Sequence, residues 1–309
     1  MNQLVGIVLV LASIFAFTLM GAIVRYLTQT VPLGEVVFAR SAVAVVPILI
    51  MLIWQRELTT ALRTKNPIAH LTRSVTGAVA MFLNFAALAF LPLAEATAIG
   101  FATPLFTVAL SALMLGEVVR ARRWSAVAAG FIGVLVMIYP NLDGATRGAG
   151  TALGTMFAIA GAFAVAIAMT QVRHLSRTET TASLVFYFSI VCSLSGLLTL
   201  PWGWTLPTRS ELAWMIAMGV LGGVGQLLIT ESYRHAPASV VAPFAYSGMI
   251  YSIVIGYVWF GEVPTSVVLV GAAIVIGAGL FVIWREHRLG LDRTEEKRAE
   301  GPPTGGPTV

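Results

Sequence analysis

The chain has 309 residues, of which 58% are hydrophobic and only 11% are charged, and its mean hydropathy is +0.87. Soluble domains carry about 25% charged residues, so this composition excludes a soluble globular protein and indicates a helical membrane protein with several spans. The net charge of +5 does not indicate a nucleic-acid partner. The basic residues lie in short loops that flank the apolar runs, where lipid headgroups and topology explain them.

Ten apolar stretches, each near the length of about 20 residues that a helix needs to cross a bilayer, predict ten membrane-spanning helices. The first stretch lacks the basic start of a signal peptide, so we interpret it as a retained span. Prolines lie at or near several of the breaks, where interrupting a helix costs least. The predicted spans cover residues 4–25, 34–54, 68–91, 93–116, 124–140, 149–173, 181–201, 211–234, 238–261 and 265–284.

The residues after the tenth span have a different composition. Residues 286–309 are charged at first and then rich in Pro, Gly and Thr. Such a segment cannot bury a core, so we predict a disordered cytoplasmic tail. The single cysteine, Cys192, lies inside an apolar stretch; it cannot form an intrachain disulfide, and we interpret it as a small core residue.

The distribution of Lys and Arg predicts the orientation of the chain. With the N-terminus in the cytoplasm, fifteen of the nineteen Lys and Arg residues fall on the inner side, and the others are Arg25, Arg40, Arg147 and Arg209. The opposite orientation would reverse this bias, so we predict a multi-pass protein of the cell inner membrane with both termini in the cytoplasm. The four histidines are scattered and do not suggest a metal site.

Two stretches of the sequence match each other without a gap. Residues 92–117 read PLAEATAIGFATPLFTVALSALMLGE and residues 237–262 read PASVVAPFAYSGMIYSIVIGYVWFGE, so that Phe101 matches Tyr246. The second copy lies five spans after the first, and an odd number makes it cross the membrane in the opposite direction. We therefore predict an all-α integral membrane protein of ten helices, built as two inverted five-helix repeats, residues 1–142 and 143–285. Such repeats are typical of alternating-access carriers with a substrate site near the midplane.

Two longer segments carry a resemblance to a known family. LMLGEVVRARRWSAVAAGFIGVLV at 113–136 and VAPFAYSGMIYSIVIGYVWFGEVPTSVVLVGAAIVIGAGL at 241–280 share small residues before Gly-Glu and a glycine-spaced following helix. In these features the chain resembles the drug/metabolite transporter superfamily, in its EamA-type ten-helix branch. The resemblance covers residues 4–284 and implies two five-helix bundles around a central cavity, without ATP hydrolysis or a cofactor. Similar members export amino acids or carry metabolites such as riboflavin or S-adenosylmethionine.

Polar groups inside a bilayer are costly, so each one is a candidate for function. Arg40 lies in the second span, roughly 9 Å from its outer end by helical rise, and Glu95 begins the fourth span at a similar depth. We interpret the two either as an extracellular gate, with Arg40 binding a substrate carboxylate, or as a structural ion pair. Arg25, at the outer end of the first span, is interpreted as snorkelling to the headgroups.

Aromatic residues at equivalent places in the two copies are candidates for the substrate pathway. Phe101 and Tyr246 lie within about 5 Å of the midplane of their helices by rise per residue. They either line a central cavity from both sides or pack between the two bundles. Tyr257, which shares a helix face with Tyr246, would extend that wall outward. Pro104 and Pro243 each remove a backbone hydrogen bond in mid-helix and are candidate hinges, or else simple kinks.

The remaining candidates are two amides and one carboxylate. Asn84 in the third span and Gln226 in the eighth either bind substrate or bond to a neighbouring helix. Glu231 lies nearer the cytoplasm on the eighth span and is the candidate for coupling transport to protons. The alternative role for Glu231 is an ion pair with Arg234, three residues on.

Motifs of several other function classes are absent from the sequence. It has no G-x-x-x-x-G-K-[ST] run for ATP binding, and no H-E-x-x-H or G-x-S-x-G motif of a hydrolase. An integral-membrane enzyme is therefore a distant alternative, and the inverted repeat favours a carrier over a channel. We expect a carrier of small organic metabolites, foremost an exporter of amino acids of the aromatic or hydrophobic kind. The alternative is an importer of a vitamin or nucleoside-like metabolite, such as riboflavin or S-adenosylmethionine.

Overall fold

A computed structural model gives the fold of the chain. It describes residues 3–54, 56, 64, 66–115, 121–142, 149–176 and 178–299. Within these ranges every regular element is a helix, and two of the elements are 3₁₀ turns, Leu200–Trp202 and Ala242–Tyr246. The α-helices are α1 (Gln3–Leu27), α2 (Leu33–Trp54), α3 (Pro67–Phe90), α4 (Leu93–Gly100), α5 (Thr103–Leu115), α6 (Ala121–Leu142), α7 (Ala149–Leu175), α8 (Thr181–Leu197), α9 (Arg209–His235), α10 (Ala238–Val241), α11 (Ser247–Phe260) and α12 (Ser266–Ala299).

Among the described residues, seven helical stretches are long and apolar enough to cross a membrane. They lie in α1, α2, α3, α7 and α9, in the α4–α5 segment, and in the stretch Ala242–Phe260. Three further apolar helical stretches are shorter: Val127–Pro140, Ser183–Leu197 and Ser266–Phe281. Length and composition thus confirm the prediction of a helical membrane protein.

Each helix packs against a small set of neighbours. α1 lies along α9, α3 lies along α7 and α8, and α2 lies between α8 and α9. α6 lies along α12, and α4 packs mainly against α7 and α11. Glycines allow the backbones to approach closely, as is typical of membrane helices. A Cβ atom added to Gly133 of α6 would lie only 2.9 Å from the carbonyl oxygen of Gly271 on α12.

The two matching segments of the sequence run antiparallel and contact each other. Leu93, at the start of α4, lies against Gly256, near the end of α11. Phe101, just after α4, lies against Tyr246, just before α11, with ring centroids 5.1 Å apart. From the first contact to the second, the residue number rises in one segment and falls in the other, so the two segments run in opposite directions.

Both matching segments are broken helices, whereas the sequence predicts one continuous span for each. α4 ends at Gly100 and α5 begins at Thr103, with Pro104 in its first turn. The second segment passes from α10 through the 3₁₀ turn Ala242–Tyr246, which contains Pro243, into α11. Proline lacks the N–H group that a helix interior needs and is tolerated in a first turn, which explains why both breaks fall beside a proline.

The last helix is longer than the sequence predicts. The tenth span is predicted to end at residue 284 and a disordered tail to begin at 286, but α12 continues to Ala299. Most of residues 286–299 are Glu, Arg, Lys, Leu or Ala, which are good helix formers. A high charge therefore marked the end of the apolar stretch and not the end of the helix. Residues 300–309 lie outside the described residues.

Candidate substrate pathway and outer lock

Phe101 and Tyr246 meet where the two broken helices cross. Their rings make an edge-to-face contact, with an interplanar angle of 65°, and both side chains are half-buried. Each lies beside a break, since Phe101 follows α4 and Tyr246 precedes α11. Because these two residues match in the sequence copies, their mutual contact marks the place where an axis relating the copies would pass.

The surroundings of this aromatic pair are packed on one side and open on another. Phe101 lies against a buried apolar cluster that includes Ile99, and the hydroxyl group of Tyr246 lies against Gly279 of α12. A Cβ atom added to Gly100, next to Phe101, would meet nothing within 4 Å. The geometry is therefore compatible with a wall of a pathway as well as with packing between the helices.

Tyr257 does not lie beside this aromatic pair. Its side chain is 63% exposed, on the same side of α11 as the exposed Ile250 and Val254. The expectation that it extends the wall relied on an uninterrupted helix from Tyr246. The 3₁₀ turn Ala242–Tyr246 breaks that register.

Arg40 is a buried cation in α2. The residue is only 8% exposed, and its Nε atom has no hydrogen-bond partner. Its guanidinium lies over Gly222 of α9, where an added Cβ atom would be 3.2 Å from Nε, and it lies near Cys192 of α8. The described contacts of Arg40 do not include Glu95, because α4 packs mainly against α7 and α11. Glu95 is buried at the start of α4 and has its own contacts there.

A second arginine within the helix packing, Arg73 of α3, is half-buried and is not among the predicted candidates. Its Cζ atom lies 4.3 Å from the ring centroid of Phe188 on α8, a cation–π contact. Its Nε and Nη1 atoms have no hydrogen-bond partner. Arg40 and Arg73 both lie near Cys192, which is fully buried as predicted, so two cations flank the cysteine. The sequence feature that could have identified Arg73 is Pro67, because a helix that starts there has Arg73 in its second turn.

The two candidate amides differ in their surroundings. Asn84 donates a hydrogen bond of 2.7 Å from Nδ2 to the carbonyl oxygen of Ala80 on its own helix. Its amide covers Gly161 of α7, where an added Cβ atom would lie 2.7 Å from Nδ2, so it contributes to helix packing. Gln226 is half-buried one turn after Gly222, and it therefore shares the face of α9 that Arg40 covers.

Glu231 forms the ion pair that is the alternative to proton coupling. Its Oε2 atom lies 3.1 Å from Nη1 of Arg234, and its Oε1 atom lies 3.5 Å from Nδ1 of His235. The side chain of Glu231 is 39% exposed. It is therefore a solvated group at the end of α9 and not a buried carboxylate.

An ion pair joins three helices at the predicted outer side. Glu262, just after α11, pairs with Arg25 of α1 and accepts a hydrogen bond of 2.9 Å from the backbone nitrogen of Leu93 on α4. Arg25 also donates to the carbonyl oxygens of Leu88 and Leu91. We call Arg25, Leu93 and Glu262 the outer lock. The interpretation of Arg25 as a snorkelling side chain is wrong, because its guanidinium binds inward.

The Gly-Glu ending of the second sequence copy has a structural explanation in this lock. Gly261 has a φ of 66°, a left-handed conformation that glycine adopts readily at the end of a helix. The turn ends α11 and directs Glu262 back towards Leu93 and Arg25. Glu117, the matching residue of the first copy, lies outside the described residues.

A cavity of about 340 Å³ lies elsewhere, between α6 and α12. Its lining is almost entirely apolar and contains no charged group: Ser125, Ala129, Ala273, Ile274, Gly277, Ala278 and Phe281. Nothing there can orient a charged or strongly polar ligand, so we do not assign the substrate to it.

Comparison with known proteins gives consistent matches along the chain. The model of the EamA-like transporter family matches it twice, at residues 4–139 and 152–284. The pseudopaline exporter CntI of Pseudomonas aeruginosa is 30% identical, over 88% of this chain and 94% of the exporter. A riboflavin transporter of Rhizobium johnstonii is 31% identical, over 91% of each chain. An S-adenosylmethionine uptake transporter of Rickettsia prowazekii is 27% identical, over 92% and 94%.

One solved crystal structure has a similar fold. It covers 92% of this chain and 98% of its own, with a TM-score of 0.64 and 18% sequence identity. At that identity the likeness concerns the fold alone.

Proposed function

Because the chain belongs to the EamA-like transporter family, we propose that it is a carrier of the cell inner membrane that moves small organic metabolites by alternating access. The proposed architecture has ten membrane-spanning helices in two inverted five-helix repeats, residues 1–142 and 143–285. Both termini are proposed to be cytoplasmic, because that orientation puts most Lys and Arg residues on the inner side.

The pattern of helix contacts supports the inverted repeat. If the first five spans correspond to the last five, α1 corresponds to α7, α2 to α8 and α3 to α9. The contact of α1 with α9 then has its counterpart in α7 with α3, and both contacts are present. Likewise, the contact of α2 with α9 has its counterpart in α8 with α3. The antiparallel crossing at Phe101 and Tyr246 supports the same arrangement.

Arg40 is the observation that carries the proposed substrate class. A buried guanidinium in a membrane span is costly unless an anion compensates it, and the described contacts of Arg40 include no carboxylate. We infer that a substrate carboxylate supplies this anion, because a guanidinium binds a carboxylate through two parallel hydrogen bonds. Arg73 offers a second cation beside Cys192, and Gln226 offers an amide on the adjacent face of α9.

Amino acids are the leading proposed substrates, and export is the proposed direction. Every amino acid carries the carboxylate that Arg40 would bind, and the Phe101–Tyr246 pair offers an aromatic surface for an apolar side chain. The second candidate is uptake of a vitamin or nucleoside-like metabolite. The relatives named for riboflavin transport and for S-adenosylmethionine uptake favour it.

A transport assay in proteoliposomes separates these candidates. Purified protein is tested for exchange of labelled amino acids, riboflavin and S-adenosylmethionine. For the transported compound, Arg40→Gln should raise the half-saturation concentration about 10- to 100-fold, because a hydrogen bond to a charged group contributes about 1.5–3 kcal/mol.

The matched control is Arg234→Gln, which removes an exposed arginine and should leave the half-saturation concentration unchanged. Size-exclusion chromatography checks that each variant is folded. A folded Arg40→Gln protein with unaltered kinetics would contradict carboxylate binding by Arg40. Transport of none of the compounds would contradict the proposed substrates.

A further inference from the structure

We propose that His70 and Glu179 form a proton-binding site whose occupancy holds the predicted inner side of the carrier closed. His70 lies in the first turn of α3, and Glu179 lies in the connection just before α8. The Nε2 atom of His70 is 3.4 Å from Oε2 of Glu179, and the two side chains are only 2% and 4% exposed. The proposal rests on the alternating-access function proposed above.

The imidazole of His70 is buried with its ring nitrogens unsatisfied. Neither Nδ1 nor Nε2 has a hydrogen-bond partner in the described structure, and a buried polar atom without a partner is unfavourable. A proton on Nε2 would supply both a donor and a positive charge directed at Oε2 of Glu179. If the 3.4 Å separation then shortens, the contact becomes a charge-assisted hydrogen bond, which is stronger than a neutral one.

Among the described groups around His70, Glu179 supplies the carboxylate. On α8, the ring of Tyr187 lies 4.8 Å from the imidazole ring. On α3 itself, the guanidinium of Arg73 lies over Phe188. At the end of α7, Arg173 and His174 are exposed. Thr64, before α3, donates a hydrogen bond of 3.0 Å to Oε1 of Glu179 and so helps to orient the carboxylate.

The site is placed to control access from the inner side. It joins the start of α3 to the start of α8, and these two helices carry Arg73 and Cys192 further along. Proton uptake would strengthen the connection, and proton release to water would weaken it, so that α3 and α8 separate and expose the arginines behind them. Glu231 cannot act in this way, because its pair is solvated and lies within one helix.

The test uses a cysteine reporter and requires no substrate. Ser74 is fully buried one turn after His70, so Ser74→Cys in a Cys192→Ala protein reports opening at this end. Its labelling by N-ethylmaleimide is measured in detergent from about pH 6 to about pH 8, around the pKa of an ordinary histidine. Because thiol reactivity itself rises with pH, each rate is divided by the rate in the same protein carrying His70→Gln.

We expect this ratio to be low at acid pH, where the proton closes the site, and to rise several-fold towards alkaline pH, where the proton is released. Glu179→Gln should abolish the rise in this ratio, because an amide does not stabilise the imidazolium as a carboxylate does. The control Glu231→Gln should retain it. A ratio that does not change with pH, or a rise that survives Glu179→Gln, would overturn the proposal. Neither outcome is evidence for or against the proposed carrier function, which the proteoliposome assay tests separately.

Discussion

Two glutamate–arginine pairs of this molecule are chemically alike but lie in opposite surroundings. Glu262 pairs with Arg25 across separate helices, and the two side chains are 13% and 19% exposed. Glu231 pairs with Arg234 three residues along α9, and the two side chains are 39% and 66% exposed. The first pair connects residues of separate helices and the segment after α11, whereas the second connects neighbours on one helix.

This difference decides what each pair can do. An exposed pair within a helix contributes about 0.3–0.5 kcal/mol and restrains nothing beyond that helix. A largely buried pair resists separation, because either partner left alone keeps an uncompensated charge away from water. Of these two pairs, the outer lock is therefore the one that can help to hold α1, α4 and α11 together.

The largest effect is expected from breaking the outer lock. Glu262→Gln leaves the charge of Arg25 without its partner, a change that costs about 3–5 kcal/mol for a fully buried pair and less for this partly exposed one. We expect α4 and α11 to separate. The reporter is Ser252→Cys, which is fully buried on the face of α11 that also carries Gly256. Its labelling by a maleimide should become at least several-fold faster.

Labelling rates of further variants of the same reporter protein test whether the ion pair is the cause. Arg25→Gln should accelerate labelling of the Ser252→Cys reporter as Glu262→Gln does, and the double variant should add little, because both changes remove one interaction. Glu231→Gln should leave the rate unchanged. Equal labelling rates in the unmodified reporter protein, the two single variants of the lock and the double variant would mean that the ion pair does not hold the outer side closed.

A smaller effect is expected at the crossing of the two broken helices. In Gly279→Ala, the new methyl group would overlap the hydroxyl group of Tyr246, and such overpacking costs about 1–3 kcal/mol. Thermal unfolding in detergent should show the loss of stability, and adding Tyr246→Phe should restore part of it, because Cζ of the ring would still lie 2.7 Å from the new Cβ atom. Gly277→Ala is the matched control on the same helix, because its Cβ atom would meet nothing within 4 Å. No rescue by Tyr246→Phe would contradict the described contact.

The smallest effect is expected at the solvated pair. Glu231→Gln should change the free energy of unfolding by less than about 0.5 kcal/mol and should leave the response of transport to a pH gradient as in the unmodified protein. Transport driven by a pH gradient in proteoliposomes is the measurement. If Glu231→Gln alone abolishes that response, Glu231 would be the residue that couples transport to protons, which would contradict this prediction.

The sequence predicted the helices well, because apolar length is a local property that each segment carries by itself. The copies around Phe101 and Tyr246 also predicted the region where the molecule's two broken helices cross. Their breaks were only indicated by Pro104 and Pro243, since a proline fixes where a helix can start but not how far the preceding turn departs from it. Tyr257 shows the consequence, because its face could not be inferred across a break.

The partners of charged residues were the least predictable part. Arg40 and Glu95 were matched by depth alone, but depth does not say which helices are neighbours, and α2 and α4 are mainly packed elsewhere. Arg25 lies on α1 and Glu262 just after α11, 237 residues apart in sequence. No local sequence pattern predicts that they contact each other. His70 and Arg73 lie within the predicted span 68–91 but are assigned only to the inner side, because the sequence does not show which neighbouring helix a side chain near a span end packs against.

A disulfide across the outer side tests alternating access most directly. A Cβ atom on Gly256 would lie 3.9 Å from Cβ of Leu93, within the usual Cβ separation of about 3.5–4.5 Å in disulfides. In a Cys192→Ala background, Leu93→Cys combined with Gly256→Cys should transport under reducing conditions, stop when oxidised and recover on reduction, whereas each single cysteine should be insensitive to the oxidant. Undiminished transport by the oxidised, demonstrably cross-linked protein would contradict the account, because the outer side would not need to open.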